Sequence, residues 1–210
     1  MLSPAEKADR YCKAPRPRLL WVAGFSMLEL MIVLAMVMTA TTIAVPTMIT
    51  VMANAQLRQG MGNLSSLFQN ARMRAAQQNS ITRIRFQLTN NKWVAYVDNG
   101  ISPSELTSTT PQLWLPAKFS KVGPPSGTPA ALDAATCGST LAPNTTDDTY
   151  FNQLGIPCHY SSGACSSSQA FAYYFTYQGS ANMSTTWAAM CVSPAGRVKA
   201  WYWDGSAWKN

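Results

Sequence analysis

Charged side chains are scarce in this chain and histidine is nearly absent: Asp, Glu, Lys and Arg make up 12% of its 210 residues, and His159 is the one histidine. With no Cys-x-x-Cys pair, no Gly-rich phosphate loop and no nucleophile elbow, little is left for metal, nucleotide or hydrolytic chemistry. Asp147 and Asp148 are adjacent in a polar stretch, and the serines of 161–168 read as a serine-rich turn and not as part of a triad. These absences describe a protein that is not an enzyme and carries neither cofactor nor metal.

The shortage of charge is uneven. Between Glu29 and Arg58 there is no Asp, Glu, Lys or Arg, a stretch longer than the roughly 20 apolar residues a helix needs to cross a bilayer. Lys7, Arg10, Lys13, Arg16 and Arg18 all precede it, and basic flanks normally mark the cytoplasmic side of a membrane segment. The expectation is a single-pass protein of the bacterial inner membrane, in contact with lipid, with its C-terminal part in the periplasm. Because so much of the formal net charge of +7 sits in this flank, the charge is a weak pointer to nucleic acid.

Cysteine usage fits that orientation. Cys12 stands apart, whereas Cys137, Cys158, Cys165 and Cys191 form an even set in the exported part, where disulfides persist. Four cysteines permit three connectivities. Cys158–Cys165, closing the serine-rich loop, with Cys137–Cys191, tying a variable loop to a sheet, is the preferred pairing. Zinc is the rival, with His159 beside Cys158 as a poor ligand set.

Residues 1–24 read as a leader, with Pro4, Pro15 and Pro17 opposing a helix. Residues 25–53 read as the transmembrane half of an N-terminal helix, loosened at Pro46. Residues 54–79 read as its amphipathic half, because Leu57, Met61, Leu64, Phe68, Ala71 and Ala75 recur at steps of four and three. Beyond it, 80–210 reads as an antiparallel sheet domain. Thr82, Ile84, Phe86 and Leu88 alternate with polar residues before an Asn-Asn turn into 92–97, which predicts a hairpin. Further strands are expected at 170–177, 186–193 and 197–203, and an apolar island at 113–122 is a strand candidate within a variable loop over 98–149. The predicted fold class is α+β, a long N-terminal helix packed on one antiparallel sheet.

The segment Gly24-Phe25-Ser26-Met27-Leu28-Glu29 opens the apolar run, and a lone carboxylate in such surroundings is expensive and functional by default. Gly-Phe-x-x-x-Glu before an apolar run resembles the prepilin signature of type IV pilins and pseudopilins. The resemblance implies cleavage by prepilin peptidase between Gly24 and Phe25, N-methylation of Phe25, and an assembly role for Glu29. The leader departs from the family pattern, since residues 19–23 separate Arg18 from Gly24. The C-terminal half resembles the GspH/FimT group through Phe151-Asn152-Gln153-Leu154-Gly155, similar to that group's late strand, and Gly196-Arg197-Val198-Lys199, similar to its closing strand. This likeness implies a minor pseudopilin of a type II secretion pseudopilus, with other pseudopilins or pilins and an inner-membrane assembly platform as partners.

The alternative is a FimT-like minor type IV pilin that binds DNA for uptake. Arg197, Lys199, Trp201 and Trp203 share one strand face by their spacing of two, with Trp208 and Lys209 extending the patch, and cations beside aromatic rings suit phosphates and bases. The competing reading, which is preferred, makes the tryptophans core and leaves the cations solvated.

Overall fold

A computed structural model of the chain describes residues 26–98, 111–145, 148–178 and 186–210, without the side chains of 42–47, 49 and 50. The leader, Cys12, Gly24 and Phe25, and so the expected cleavage and methylation site, lie outside the described residues. The chain divides into two compact units, Met1–Ala44 and Val45–Asn210.

Helix α1 spans Met27–Gln78. Ser26 caps its start, accepting the Leu28 amide on Oγ at 3.4 Å and the Leu30 amide on its carbonyl at 3.1 Å, as a serine does at an N-cap. Asn79 ends the helix in the left-handed region at φ 48°, while the Ser80 amide returns to the Ala75 carbonyl. In the second unit the predicted stripe is core: Leu57, Met61, Leu64, Phe68, Ala71 and Ala75 are all buried. Gly60 lets Phe119 approach, since a Cβ there would lie 3.1 Å from the phenyl ring.

The strands are β1 Thr82–Thr89, β2 Lys92–Asp98, β3 Gln112–Trp114, β4 Phe119–Val122, β5 Thr149–Phe151, β6 Pro157–Ser161, β7 Ala164–Ser168, β8 Phe171–Tyr177, β9 Thr186–Val192, β10 Val198–Trp203 and β11 Trp208–Lys209. They form two sheets, ordered β3-β2-β1-β5-β6-β7 and β11-β10-β9-β8-β4, and all their named pairings are antiparallel. The β1–β2 hairpin turns at Asn90 and Asn91, both at positive φ, the geometry a two-residue type I′ loop requires. Between the sheets, Phe86 lies 5.0 Å from Tyr173 and 5.7 Å from Phe175, centroid to centroid. Phe68 of the helix completes the cluster at 5.8 Å from Tyr173.

Three expectations are corrected. The α+β plan of one sheet under a long helix gives way to a mostly β architecture of two antiparallel sheets. The cause is visible at residues 113–122: this apolar island is no single strand, for β3 joins the first sheet and β4 the second, with Pro116 between them. Nor is any helix among the described residues long and apolar enough to cross a membrane. The transmembrane half over 25–53 and the single-pass inner-membrane location therefore do not stand. Finally, Phe151–Gly155 is not a strand: β5 ends at Phe151, and residues 152–155 are a turn in which the Gly155 amide donates to the Asn152 carbonyl at 2.8 Å.

Candidate functional site

In the first unit the described side chains of the helix are apolar on all sides apart from Glu29, and large hydrophobic residues among them are exposed. Met27 is 80% exposed, and Leu28, Leu30, Met31, Ile32, Val33, Leu34, Met36, Val37 and Met38 are exposed on every side. Thr39 and Thr41 turn their hydroxyls back onto the carbonyls of Met36 and Met38, each at 2.9 Å, so even the polar residues here satisfy themselves locally. Glu29 is the acidic residue of the first turn, favourably placed against the helix dipole. Its carboxylate makes no ion pair or hydrogen bond to another described residue.

The two C-terminal motifs meet at a residue that sequence reasoning passed over. Arg72 of α1 lies against Gly155 and Gly196 together. A Cβ on Gly155 would stand 2.8 Å from Arg72 Cγ and 3.0 Å from its carbonyl oxygen, and one on Gly196 would stand 3.1 Å from Cζ. Arg72 Nη1 also donates to the Gly196 carbonyl at 3.3 Å. Both glycines have positive φ, 70° and 79°, so glycine is required twice over, for backbone conformation and for space. A cation placed one turn beyond Phe68 on an otherwise apolar stripe was the signal available in the sequence.

The terminal strand separates its residues by face as a period of two requires. Val198, Ala200 and Tyr202 pack on the main core, where Arg58 lies 5.0 Å from the Tyr202 ring; burial pushes the Tyr202 phenol up against the opposing pull of that guanidinium. On the other face Trp201 and Trp208 pack with Trp187 against a second cluster of Leu132, Cys137, Ala170, Ala172, Tyr174, Ala189 and Cys191. Trp203 meets Trp208 edge-on at 5.6 Å, and Trp208 Nε1 donates to the Ala130 carbonyl at 2.7 Å. Lys209 is engaged by Asp204 at 2.5 Å, a contact that, with backbone amides of the same turn, holds the Asp204 carboxyl below its usual range. Lys199 sits 5.7 Å from the Trp201 ring. Arg197 and Lys199 line a cleft of about 230 Å³ beside the Cys137–Cys191 disulfide. The structure thus gathers the five proposed DNA-binding residues on one strand and its return, but seats Trp201 in a cluster and ties Lys209 to a carboxylate.

The cysteines pair as Cys137–Cys191 and Cys158–Cys165. The first fixes the loop that carries Leu132 to β9; the second joins β6 to β7 across the hairpin whose turn, Ser162 and Gly163, has positive φ at both positions. Among the described residues no group of three or more His, Cys, Asp or Glu side chains is placed to hold a metal ion.

No family model, no curated protein and no solved structure matches the chain. The likeness to type IV pilins and to the GspH/FimT group rests on the quoted residues alone. The pseudopilin and type II secretion readings draw no support from relatives, and the transmembrane and inner-membrane terms attached to them fall with the helix.

Proposed function

We propose that the chain is a structural subunit of a pilin-like filament, assembling through copies of the N-terminal part of α1. The observation that carries this reading is the helix over Met27–Met38, apolar and exposed all round. A helix hydrophobic on every side is a buried helix, and exposed apolar surface on this scale marks an interaction site. A single partner helix covers one stripe of the cylinder. Covering the whole circumference takes several neighbours at once, and when each neighbour is another copy with the same need, association continues past a dimer. The prepilin-like signature around Gly24, Phe25 and Glu29 agrees with that use, and the second unit has a core of its own.

The test is assembly of the full chain, produced with a prepilin peptidase and followed by sedimentation and electron microscopy. Val33→Asp and Val37→Asp, which set a charge into the apolar cylinder, are expected to leave the second unit folded and shift the chain from polymer to small species. A parent chain that stays monomeric, or variants that polymerise as well as the parent, would overturn the reading. The DNA alternative now depends on Arg197 and Lys199, and no observation favours it over assembly.

A further inference from the structure

A second cleft lies within the second unit, between the last turns of α1, the turn at 152–155 and the turn that leads into β10. It has a volume of about 550 Å³, and Gln69, Arg72, Met73, Leu154, Arg197 and Val198 line it. All six are at least partly exposed. Two of them are large apolar side chains turned toward water, Met73 at 56% and Leu154 at 74% exposure.

Two guanidinium groups stand at this cleft, and among the described residues no carboxylate lines it. The stem of Arg72 lies against Gly155 and its guanidinium against Gly196, to whose carbonyl Nη1 donates at 3.3 Å. That carbonyl takes one of the five N–H donors an arginine carries. Among the described residues Arg83, Arg85 and Lys209 each have a carboxylate within ion-pair distance, whereas Arg72 and Arg197 have none. A cation fixed in place and left unpaired is prepared for an anion, because little side-chain freedom remains to be lost on binding.

The rest of the lining narrows the anion. No aromatic ring among the described residues lines the cleft, so a nucleic-acid base has nothing to stack on. Met73, Leu154 and Val198 offer an apolar wall, but one so open that it covers a single side chain and would leave a long acyl chain in water. Gln69 adds an amide that both donates and accepts, as a peptide backbone requires. The volume lies within the usual range of binding clefts, about 300 to 1,000 Å³. We propose that this cleft docks an acidic, aliphatic segment of a protein partner, its carboxylate paired with Arg72 and Arg197 and a neighbouring aliphatic side chain laid on Met73 and Leu154. Docking here belongs to the second unit and does not depend on assembly through the apolar part of α1.

The experiment is fluorescence anisotropy of a labelled Ala-Leu-Asp-Leu-Ala-amide peptide titrated with the full chain, with unlabelled peptide, octanoate and a single-stranded oligonucleotide as competitors. Saturable binding is expected, displaced by the unlabelled peptide at lower concentration than by either other competitor. Asn in place of the peptide's Asp should weaken binding by about tenfold or more, the value of a hydrogen bond between charged groups. Arg72→Met, which keeps an unbranched stem between the two glycines, should weaken the parent peptide by a similar factor. Arg197→Gln, at an exposed position, should do the same with melting unchanged and provides the test if Arg72→Met folds poorly. Absence of saturable binding, equal binding of the Asn peptide, stronger displacement by octanoate or the oligonucleotide, or binding unmoved by both substitutions would overturn the proposal.

Discussion

Arg72 donates to the Gly196 carbonyl and packs closely on the backbone of Gly155 and Gly196, which makes the two glycines sensitive to an added methyl group. At Gly155 a methyl group would collide with both the stem and the carbonyl of Arg72, and the carbonyl, being part of α1, cannot move aside. Gly163 has a comparable positive φ, 89°, with open space around it. Gly163→Ala should therefore cost only the conformational penalty, about 1–2 kcal/mol, and Gly155→Ala distinctly more, as read from urea unfolding midpoints. Equal losses would show that the contact with Arg72 adds nothing. Asp148 supplies a pH-dependent counterpart. Burial raises its carboxyl above the ordinary value of 3.8, against the opposing pull of Arg85, Arg83 and Lys121, with Asp98 adding to the rise. A carboxyl whose folded pKa exceeds its unfolded one favours the folded state when protonated. Its contribution is therefore full below 3.8 and is lost as the pH rises through the folded value. Asp148→Asn, neutral throughout, should flatten the fall in stability over that window, measured as the difference between the two proteins' urea midpoints against pH. For Arg72 the sequence offered only its place on the apolar stripe, because the glycines that single it out, Gly155 and Gly196, come from distant segments.

At the scale of elements, the disulfides differ in what they constrain. Cys137–Cys191 spans 54 residues and Cys158–Cys165 spans seven. If cross-links act by restricting the unfolded chain, the long one is worth about 4 kcal/mol and the short one about 2 kcal/mol. Replacing each pair by serines should reproduce that order in chemical denaturation, and a larger loss from the short pair would mean that β6–β7 needs its bridge to form at all. That hairpin was hard to read in advance, since the serine-rich β7 offers no apolar alternation. By contrast β1 and β2 were legible, because Ile84, Phe86 and Leu88 alternate with polar residues and Asn90-Asn91 accepts two positive φ values. The helical stripe from Leu57 to Ala75 was legible for the same kind of reason, a period matched to one buried face. β8 is buried at every residue and so shows no period, which is why a run of aromatic residues located the strand without revealing layers on both its faces.

At the scale of the whole molecule, local pattern does not say which sheet a strand joins, and the division of 113–122 between two sheets was invisible for that reason. What local chemistry does specify is the cost of assembling the apolar helix around Glu29. In a bundle of such helices this carboxylate loses water, at several kcal/mol unless an opposite charge meets it. Within the described residues it has no such partner. The prepilin resemblance implies one, the cationic amine created at Phe25 when the leader is removed, reaching Glu29 from a neighbouring copy. Such a pair disfavours every register except the one that brings the charges together, so Glu29 would select the stagger of the subunits as well as hold them. Glu29→Ala should thus leave leader cleavage and the fold of the second unit intact while sharply lowering the polymer fraction. Glu29→Gln, which keeps hydrogen bonding but not charge, should do nearly the same, and Glu29→Asp should fall between because its stem is shorter. The measurement compares cleaved and sedimentable fractions of the full chain with electron micrographs of the pellets. Polymers of Glu29→Gln with parental yield and spacing would show that charge pairing does not set the register, and loss of cleavage in Glu29→Ala would place the residue at the processing step instead.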